Sequence, residues 1–404
     1  MTPRAFDVVA AAAVVLAAAV LLSRRSRRSA LVLLALYGAQ AACLTWASWT
    51  MASAPWANVA RVFFLVALFA VLSHRIATYA FPRPPAPRDR VIVPLVHVAQ
   101  AWLFLELVLW PMRMLALPAS STIDAWVLGA PLIGAAIGLA WTHRPPRVTR
   151  QRVALRSLGR PLRVVHLSDL HLGPYLPEAR LAWLAETVAS EAGDIVAITG
   201  DFLTLRSQRD WTPLLQFVER LQPPEGVFAC LGNHDVEVAD ELSATLQASG
   251  VRVLRDEVAW LPGRDGLAPV PIAGLDWHVG RQPQRAYARA FADVWKAAGP
   301  DGPSIVLCHQ PEAFRTAPPA FGGIMLAGHL HGGQVGISWR GRGVSLLRLF
   351  GMYDQGLFAR GHGRLYSHCG TGVYGFPMRL GVPAEIAVLT LVPAGADDAD
   401  GRAW

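Results

Sequence analysis

Cysteine is scarce in this chain. Cys43, Cys230, Cys308 and Cys369 are the four in 404 residues, and none stands in a CxxC pair. That usage argues against a disulfide framework and favours a reducing compartment. Charge is thin as well. Asp, Glu, Lys and Arg make up 16% of the residues against 53% hydrophobic ones, where soluble chains average about 25% charged. The formal net charge of +8 rests largely on arginine in short clusters beside apolar runs, a pattern of membrane topology. No basic run marks the rest of the chain, so nucleic acid is not an expected partner.

Long apolar runs are what the first third has in abundance. They cover Phe6 to Leu22, Ala30 to Met51, Trp56 to Phe81, Val91 to Leu117 and Ile123 to Trp141. Each approaches or exceeds the ~20 residues that cross a bilayer. Trp46, Trp49, Trp56, Trp126 and Trp141 lie near their ends, as interfacial anchors do. A cleaved leader accounts for the first run alone, not for five. Arginine follows the first run (Arg24, Arg25, Arg27, Arg28), the third (Arg83, Arg88, Arg90) and the fifth (Arg144, Arg147, Arg150, Arg152), while the other two connections carry no charge. Positive charge marks the cytoplasmic side. The expectation is an all-α transmembrane region of about five helices over residues 1–150, with the N-terminus outside and the following domain in the cytoplasm. Glu106 and Arg113 fall on one face of the fourth run. They read as a helix-buried acid and a snorkelling arginine rather than a polar path.

From about Arg160 the pattern changes to alternating strand and helix signals, with residues 151–162 reading as a linker. Val164 to Leu167 is β-forming, and the run ends in Asp169 and His171 before Gly173-Pro174 breaks the chain. Residues 194–201 end in Gly200-Asp201, 226–235 in Gly232-Asn-His-Asp235, 304–309 in His309, and 324–327 run into Gly328-His-Leu-His331. Helices are expected over 178–192, 212–221, 240–249 and 285–298, and further strands over 251–254, 258–261, 270–273, 365–368 and 386–391. Residues 163–393 read as one α/β domain, followed by a flexible tail over 394–404.

A lone histidine after a strand is more often structural than a ligand. Here strand after strand ends in a metal-competent residue beside Gly or Pro, and ligands of open α/β sheets sit beyond the carboxyl ends of strands. Asp, Asn and His without sulfur suit Mn, Fe or Zn. Two divalent ions ~3.5–4 Å apart clamp an in-line displacement at phosphorus. Such a pair needs a bridging carboxylate, for which Asp201 is the candidate. It also needs a proton donor near the leaving oxygen, for which His234, beside a ligand, is the candidate. Asp235 is placed to orient that imidazole.

Asp169-x-His171, Gly200-Asp201, Gly232-Asn-His-Asp235, His309 and Gly328-His-x-His331, in that order, resemble the signature of the calcineurin-like metallophosphoesterase superfamily over roughly Arg163 to Leu391. The resemblance implies a four-layer αββα sandwich with two mixed sheets. It implies two divalent metal ions, one held by Asp169, His171, Asp201 and His331, the other by Asp201, Asn233, His309 and His329. His234 would be the catalytic histidine. Asp235 stands where many members carry Glu. The stretches Gly328 to Gln334 and Tyr374 to Glu385 look like the branch of membrane-associated bacterial phosphodiesterases, which resembles both multi-span proteins with a C-terminal phosphoesterase domain and some hydrolases of UDP-2,3-diacylglucosamine. The expectation is a bacterial inner-membrane enzyme with a cytoplasmic dinuclear site that hydrolyses phosphodiester or pyrophosphate bonds, with lipid-linked substrates and membrane lipids as partners. A general phosphodiesterase or phosphatase tethered to the membrane, and a non-catalytic sensor or scaffold, are the alternatives. The complete ligand set argues against the last.

His166 is three residues before Asp169 and faces the other side of a strand, which reads as structural. His278, His362 and His368 have no partner spacing. Trp339 to Phe358 mixes Leu346, Leu347, Leu349 and Phe350 with Arg340, Arg342 and Arg348. It reads either as a lip near the site that touches lipid or as core strand with surface arginine.

Overall fold

The computed structural model describes the chain from Ser121 to Gly395, apart from residues 174–175, 205–209, 264–265, 281, 340–341 and 374–377, and separate helical positions between residues 38 and 115. It divides into two compact units, Met1–Trp141 with Phe376–Met378, and Thr142–Gly375 with Arg379–Trp404. Among the described residues no helix is long and apolar enough to cross a membrane, so the expected transmembrane region finds no support there. Helix α1, Ser121–Thr142, carries the fifth apolar run but has Ser121, Thr122 and Asp124 at its start and Pro131 inside, where the ring removes a backbone donor. The first two runs lie outside the described residues apart from Gly38, and the third and fourth are described only in part. Glu106 is buried; Arg113 lies outside the described residues.

The second unit is built on two six-stranded sheets. One has the order β1 (Arg147–Leu155), β14 (Glu385–Pro393), β2 (Leu162–Leu167), β3 (Ile195–Thr199), β4 (Val227–Cys230), β5 (Val251–Val253). The other has the order β12 (Gly356–Arg360), β13 (Gly363–Ser367), β9 (Ile324–Ala327), β8 (Ile305–Cys308), β7 (Val270–Leu275), β6 (Glu257–Leu261). Both are mixed. β2 to β5 and β13-β9-β8-β7 run parallel, whereas β14–β2, β12–β13 and β6–β7 are antiparallel. The central strands Ile-Val-Ala-Ile-Thr, Val-Phe-Ala-Cys, Ile-Val-Leu-Cys and Ile-Met-Leu-Ala are buried at every residue, as apolar runs covered on both faces must be.

Side-chain parity sets the layers. Val165 and Leu167 of β2 and Val196 and Ile198 of β3 pack under helices α2 (Glu178–Ser190), α3 (Thr212–Glu219) and α4 (Ala239–Ala248), through Leu184, Phe217 and Leu246. The alternate residues Val164, Ile195 and Phe228 meet Ile272, Ile305 and Leu326 of the second sheet. Helix α5 (Pro283–Ala298) covers the far face with Phe291 and Val294 on Ala273, Val306 and Met325. The layers are therefore helix, sheet, sheet, helix. Each fully buried Leu, Ile or Phe in them contributes roughly 1.5–3 kcal/mol.

Two expectations are corrected here. The stretch 151–162 is not simply a linker, because Arg147–Leu155 pairs in parallel with β14 from Arg147↔Glu385 to Leu155↔Pro393. Its arginines mimic a linker, but the strand closes a sheet edge, where one face meets solvent while Val153 and Leu155 turn inward. The stretch 339–358, one of whose two readings is core strand, reaches the second sheet only at its end, residues 356–358 in β12. It begins in the hairpin β10–β11 (Gly336–Trp339 and Arg342–Ser345) and continues in the short helix α6 (Leu346–Leu349), with Ile337, Leu346, Leu349 and Phe350 exposed. Of the expected tail, residues 396–404 lie outside the described residues.

Candidate active site

The carboxyl ends of β2, β3, β4, β8 and β9 bring the expected residues together. Two groups emerge, Asp169 with His171 and His331, and Asp201 with His309 and His329, the ligand atoms of each lying within 4.8 Å of one another. The backbone turns sharply to present them. Eight non-glycine residues among those described have positive φ, and five are Asp169, His171, Asp201, His329 and His331, at 49–70°. Such conformations cost on the order of 1–3 kcal/mol each and persist where the surroundings over-determine them. Two glycines make room. A Cβ at Gly232 would lie 2.2 Å from Asp201 Oδ1, and one at Gly328 would lie 2.3 Å from Asp169 Oδ2.

Asp169 accepts the Ser168 hydroxyl at 2.7 Å and the His329 backbone N–H at 3.1 Å, while its Oδ1 lies 3.1 Å from His331 Nε2. Asp201 Oδ1 accepts the His234 backbone N–H at 2.8 Å, and its Oδ2 lies 3.2 Å from His309 Nε2 and 3.6 Å from His171 Nε2. Asp201 thus reaches a histidine of each group. Both carboxylates are buried, which by itself raises their pKa, but the surrounding imidazoles outweigh this and hold both well below the usual carboxylate range.

The imidazoles are oriented from behind. Nδ1–H of His171 donates to Leu203 O at 3.1 Å, that of His309 to Thr199 O at 2.6 Å, and that of His234 to Thr204 O at 3.1 Å. Such bonds select the tautomer whose Nε2 points forward as a ligand. His171 Nε2 and His331 Nε2 face each other at 3.1 Å, and burial lowers His171 to about 3, against the pull of Asp201. At His309 burial also works against charge, yet Asp201 and Asp169 raise it to about 9. Forward-facing lone pairs and a field that calls for positive charge fit divalent cations with oxygen and nitrogen ligands. The donor set contains no sulfur, and Cys230, Cys308 and Cys369 are free and buried.

Asn233 stands in the turn beside Gly232, its buried Oδ1 without a hydrogen-bond partner among the described residues. His234 is half-buried, its ring 5.1 Å from that of His171. The expected role of Asp235 is corrected. It does not orient His234, whose Nδ1 uses Thr204 O. Its carboxylate instead accepts backbone N–H groups of Gly232 (2.9 Å), Leu203 (3.2 Å) and Phe202 (3.3 Å), tying the loops after β3 and β4. Burial, then Asp201, raises Asp235 to about 7.

His166 lies between the sheets as its parity requires, with Nε2 2.8 Å from Thr199 Oγ1 and its ring 4.7 Å from His368. His278 meets Asp256 and His362 meets Arg156. One residue escaped the sequence reading. Trp277, just past β7, sets its indole 4.9 Å from His329 and 5.5 Å from His309; its place after a strand end was the available signal.

Comparison with known proteins agrees with this geometry. Residues 162–340 match the family model described as calcineurin-like phosphoesterase. An uncharacterized metallophosphoesterase of Aquifex aeolicus is 31% identical over 62% of this chain and 93% of its own length. A transmembrane protein with metallophosphoesterase domain from Danio rerio is 31% identical over 68% of this chain and 63% of its own. Phosphodiesterase YaeI of Escherichia coli is 25% identical over 60% of this chain and 87% of its own. Ordered strand-end motifs, two mixed sheets, paired Asp/His groups and these relatives lead to one assignment: the chain belongs to the calcineurin-like metallophosphoesterases and is a metal-dependent phosphoester hydrolase.

Proposed function

We propose that this enzyme is a dinuclear phosphodiesterase held at the bacterial inner membrane, hydrolysing a phosphodiester or pyrophosphate bond of a lipid-linked substrate on the cytoplasmic side. The observation that carries the chemistry is the reach of Asp201 to a histidine of each buried group. Asp169, His171, Asp201 and His331 would hold one ion, and Asp201, Asn233, His309 and His329 the other. Mn, Fe and Zn all suit this set. The pair, when bound, supplies Lewis-acid stabilisation at the phosphoryl oxygens. The remaining work belongs to the chain. His234 keeps its Nδ1 proton on Thr204 O, so Nε2 is the free ring position: a proton taken up there from solvent makes the imidazolium, which passes that proton to the leaving oxygen and returns to the neutral ring. Its backbone N–H holds Asp201, which couples the proton donor to the shared ligand. Trp277 walls the second group.

The membrane placement draws on the five apolar runs, the arginine alternation and the name of the Danio rerio relative. A site near headgroups meets lipid-linked substrates, although fold alone does not select a substrate. The name of YaeI favours a diester. The test is hydrolysis of bis-p-nitrophenyl phosphate and of a lipid pyrophosphate by detergent-purified protein, with Mn²⁺ or with chelator. Chelator-sensitive turnover that prefers the lipid supports the reading. Faster turnover of the soluble diester moves the substrate class to soluble molecules. No turnover under any metal, with His234→Ala indistinguishable from wild type, points to a sensor or scaffold.

A further inference from the structure

Arg379 is the largest fully buried side chain of the described residues, 1% exposed. Burial lowers its pKa only to about 10, so it is a cation at neutral pH. No carboxylate is within salt-bridge distance among the ion pairs described. Main-chain oxygens take that place: one terminal nitrogen donates to Gly372 O at 2.7 Å, Cys369 O at 2.9 Å and Gly370 O at 3.2 Å, and the other reaches Val382 O at 3.4 Å.

The loop so gathered, residues 369–372, turns its amides the other way. Thr371 N–H donates to Ser168 O at 2.8 Å and Gly372 N–H to Asp169 O at 2.9 Å. Contact is close throughout. A Cβ at Gly372 would lie 2.0 Å from Leu170 O, and one at Gly370 would lie 2.8 Å from His331 Nδ1. The loop therefore backs both the strained turn that carries Asp169 and His171 and the ring of His331. None of these contacts involves Asp201, His309 or His329.

We propose that Arg379 is a positioning residue for one of the two metal sites: its guanidinium clamps the 369–372 carbonyls so that Asp169, His171 and His331 are held in ligand geometry, while the Asp201/His309/His329 group stands without it. The inference rests on the dinuclear reading above. Outer partners of metal ligands typically matter by ~10–100-fold in affinity, and that is the size expected here.

The experiment is Mn²⁺ titration of the full purified chain, followed by electron paramagnetic resonance and metal content, for wild type, Arg379→Lys and Arg379→Gln, with His171→Ala as the reference for loss of the first site. Two Mn²⁺ per wild-type chain establish the dinuclear reading; fewer than two overturn that reading rather than the role of Arg379. With two established, the expected result is that Arg379→Lys keeps the wild-type melting temperature to within a few degrees, retains one tight Mn²⁺ and binds the second ~10–100-fold more weakly, resembling His171→Ala. Arg379→Gln should show the same split, more strongly. Unchanged affinity at both sites, or parallel weakening of both with a falling melting temperature, overturns the proposal and leaves Arg379 a packing residue.

Discussion

Asp201 and His234 are joined by the His234 backbone N–H to Asp201 Oδ1, yet they should fail differently. Asp201→Asn keeps the shape but removes the charge that reaches both histidine groups. Activity should fall by more than ~100-fold, and metal content should drop with it. His234→Ala leaves every proposed ligand in place, so metal content should stay at the wild-type level while kcat falls ~10²–10⁴-fold, the usual worth of a positioned acid or base. Metal analysis beside steady-state rates separates the two; wild-type metal and rate in both variants would remove the site from this cleft. The motif residues themselves were legible in the sequence, because Gly and Pro mark the strand ends and only a few side chains ligate metals. The role of Asp235 was not. Adjacency to His234 suggested an imidazole partner, but the carboxylate is claimed by three backbone amides from two loops, and which amides converge on it depends on how β3 and β4 pack.

At the level of elements, the strand-to-loop turns hold the chemistry in strained backbone, and their glycines are places of contact. Gly232→Ala should drive its new methyl into Asp201 Oδ1. Overpacking of this kind costs about 1–3 kcal/mol, so a lower melting temperature and a metal affinity weakened along with kcat are expected in calorimetry and metal titration. Retention of both would mean that the turn yields without moving Asp201. The buried strands were readable because apolar runs of four or five residues between glycines suit sheets covered on both faces. β1 was not, since Arg-Val-Thr-Arg-Gln-Arg-Val alternates charge as a linker does, and only its partner β14, more than 200 residues later, makes it a strand.

The two sheets of the catalytic unit are joined by more than apolar packing. Glu385 of β14 accepts hydrogen bonds from Thr149 of β1, from the Tyr366 hydroxyl of β13 at 2.6 Å and from the Cys369 N–H at 3.0 Å. Burial raises its pKa, but His368 and these donors prevail and hold it below the ordinary value. A carboxyl lowered in the folded state contributes stability that is full above its unfolded pKa, ~4.3, and is lost as pH falls through the folded one. Glu385→Gln should therefore destabilise the protein by roughly 2 kcal/mol at neutral pH, and the gap from wild type should close in acid. Denaturant unfolding at pH 7 and pH 4 tests this; a gap that widens in acid contradicts it. Metal acts on the whole molecule too. Ions that bind only the folded chain add about 2.7 kcal/mol at a hundred times Kd, so chelator should lower the melting temperature and Mn²⁺ restore it.

What the amino-acid sequence determined by itself is local: the alternation of buried strands and amphipathic helices, the punctuated strand ends, and the ligand-competent residues placed there. These follow from side-chain chemistry and period, which a chain carries before it folds. Only the tertiary structure decided how those ends meet. It set Asp201 between two groups of histidines, gave Asp235 to backbone amides, brought Trp277 beside His329, added β1 to the sheet edge and closed the 369–372 loop around Arg379. Most of these depend on segments far apart in sequence packing into contact, and all on burial, which makes an unpaired charge or amide too costly to leave alone.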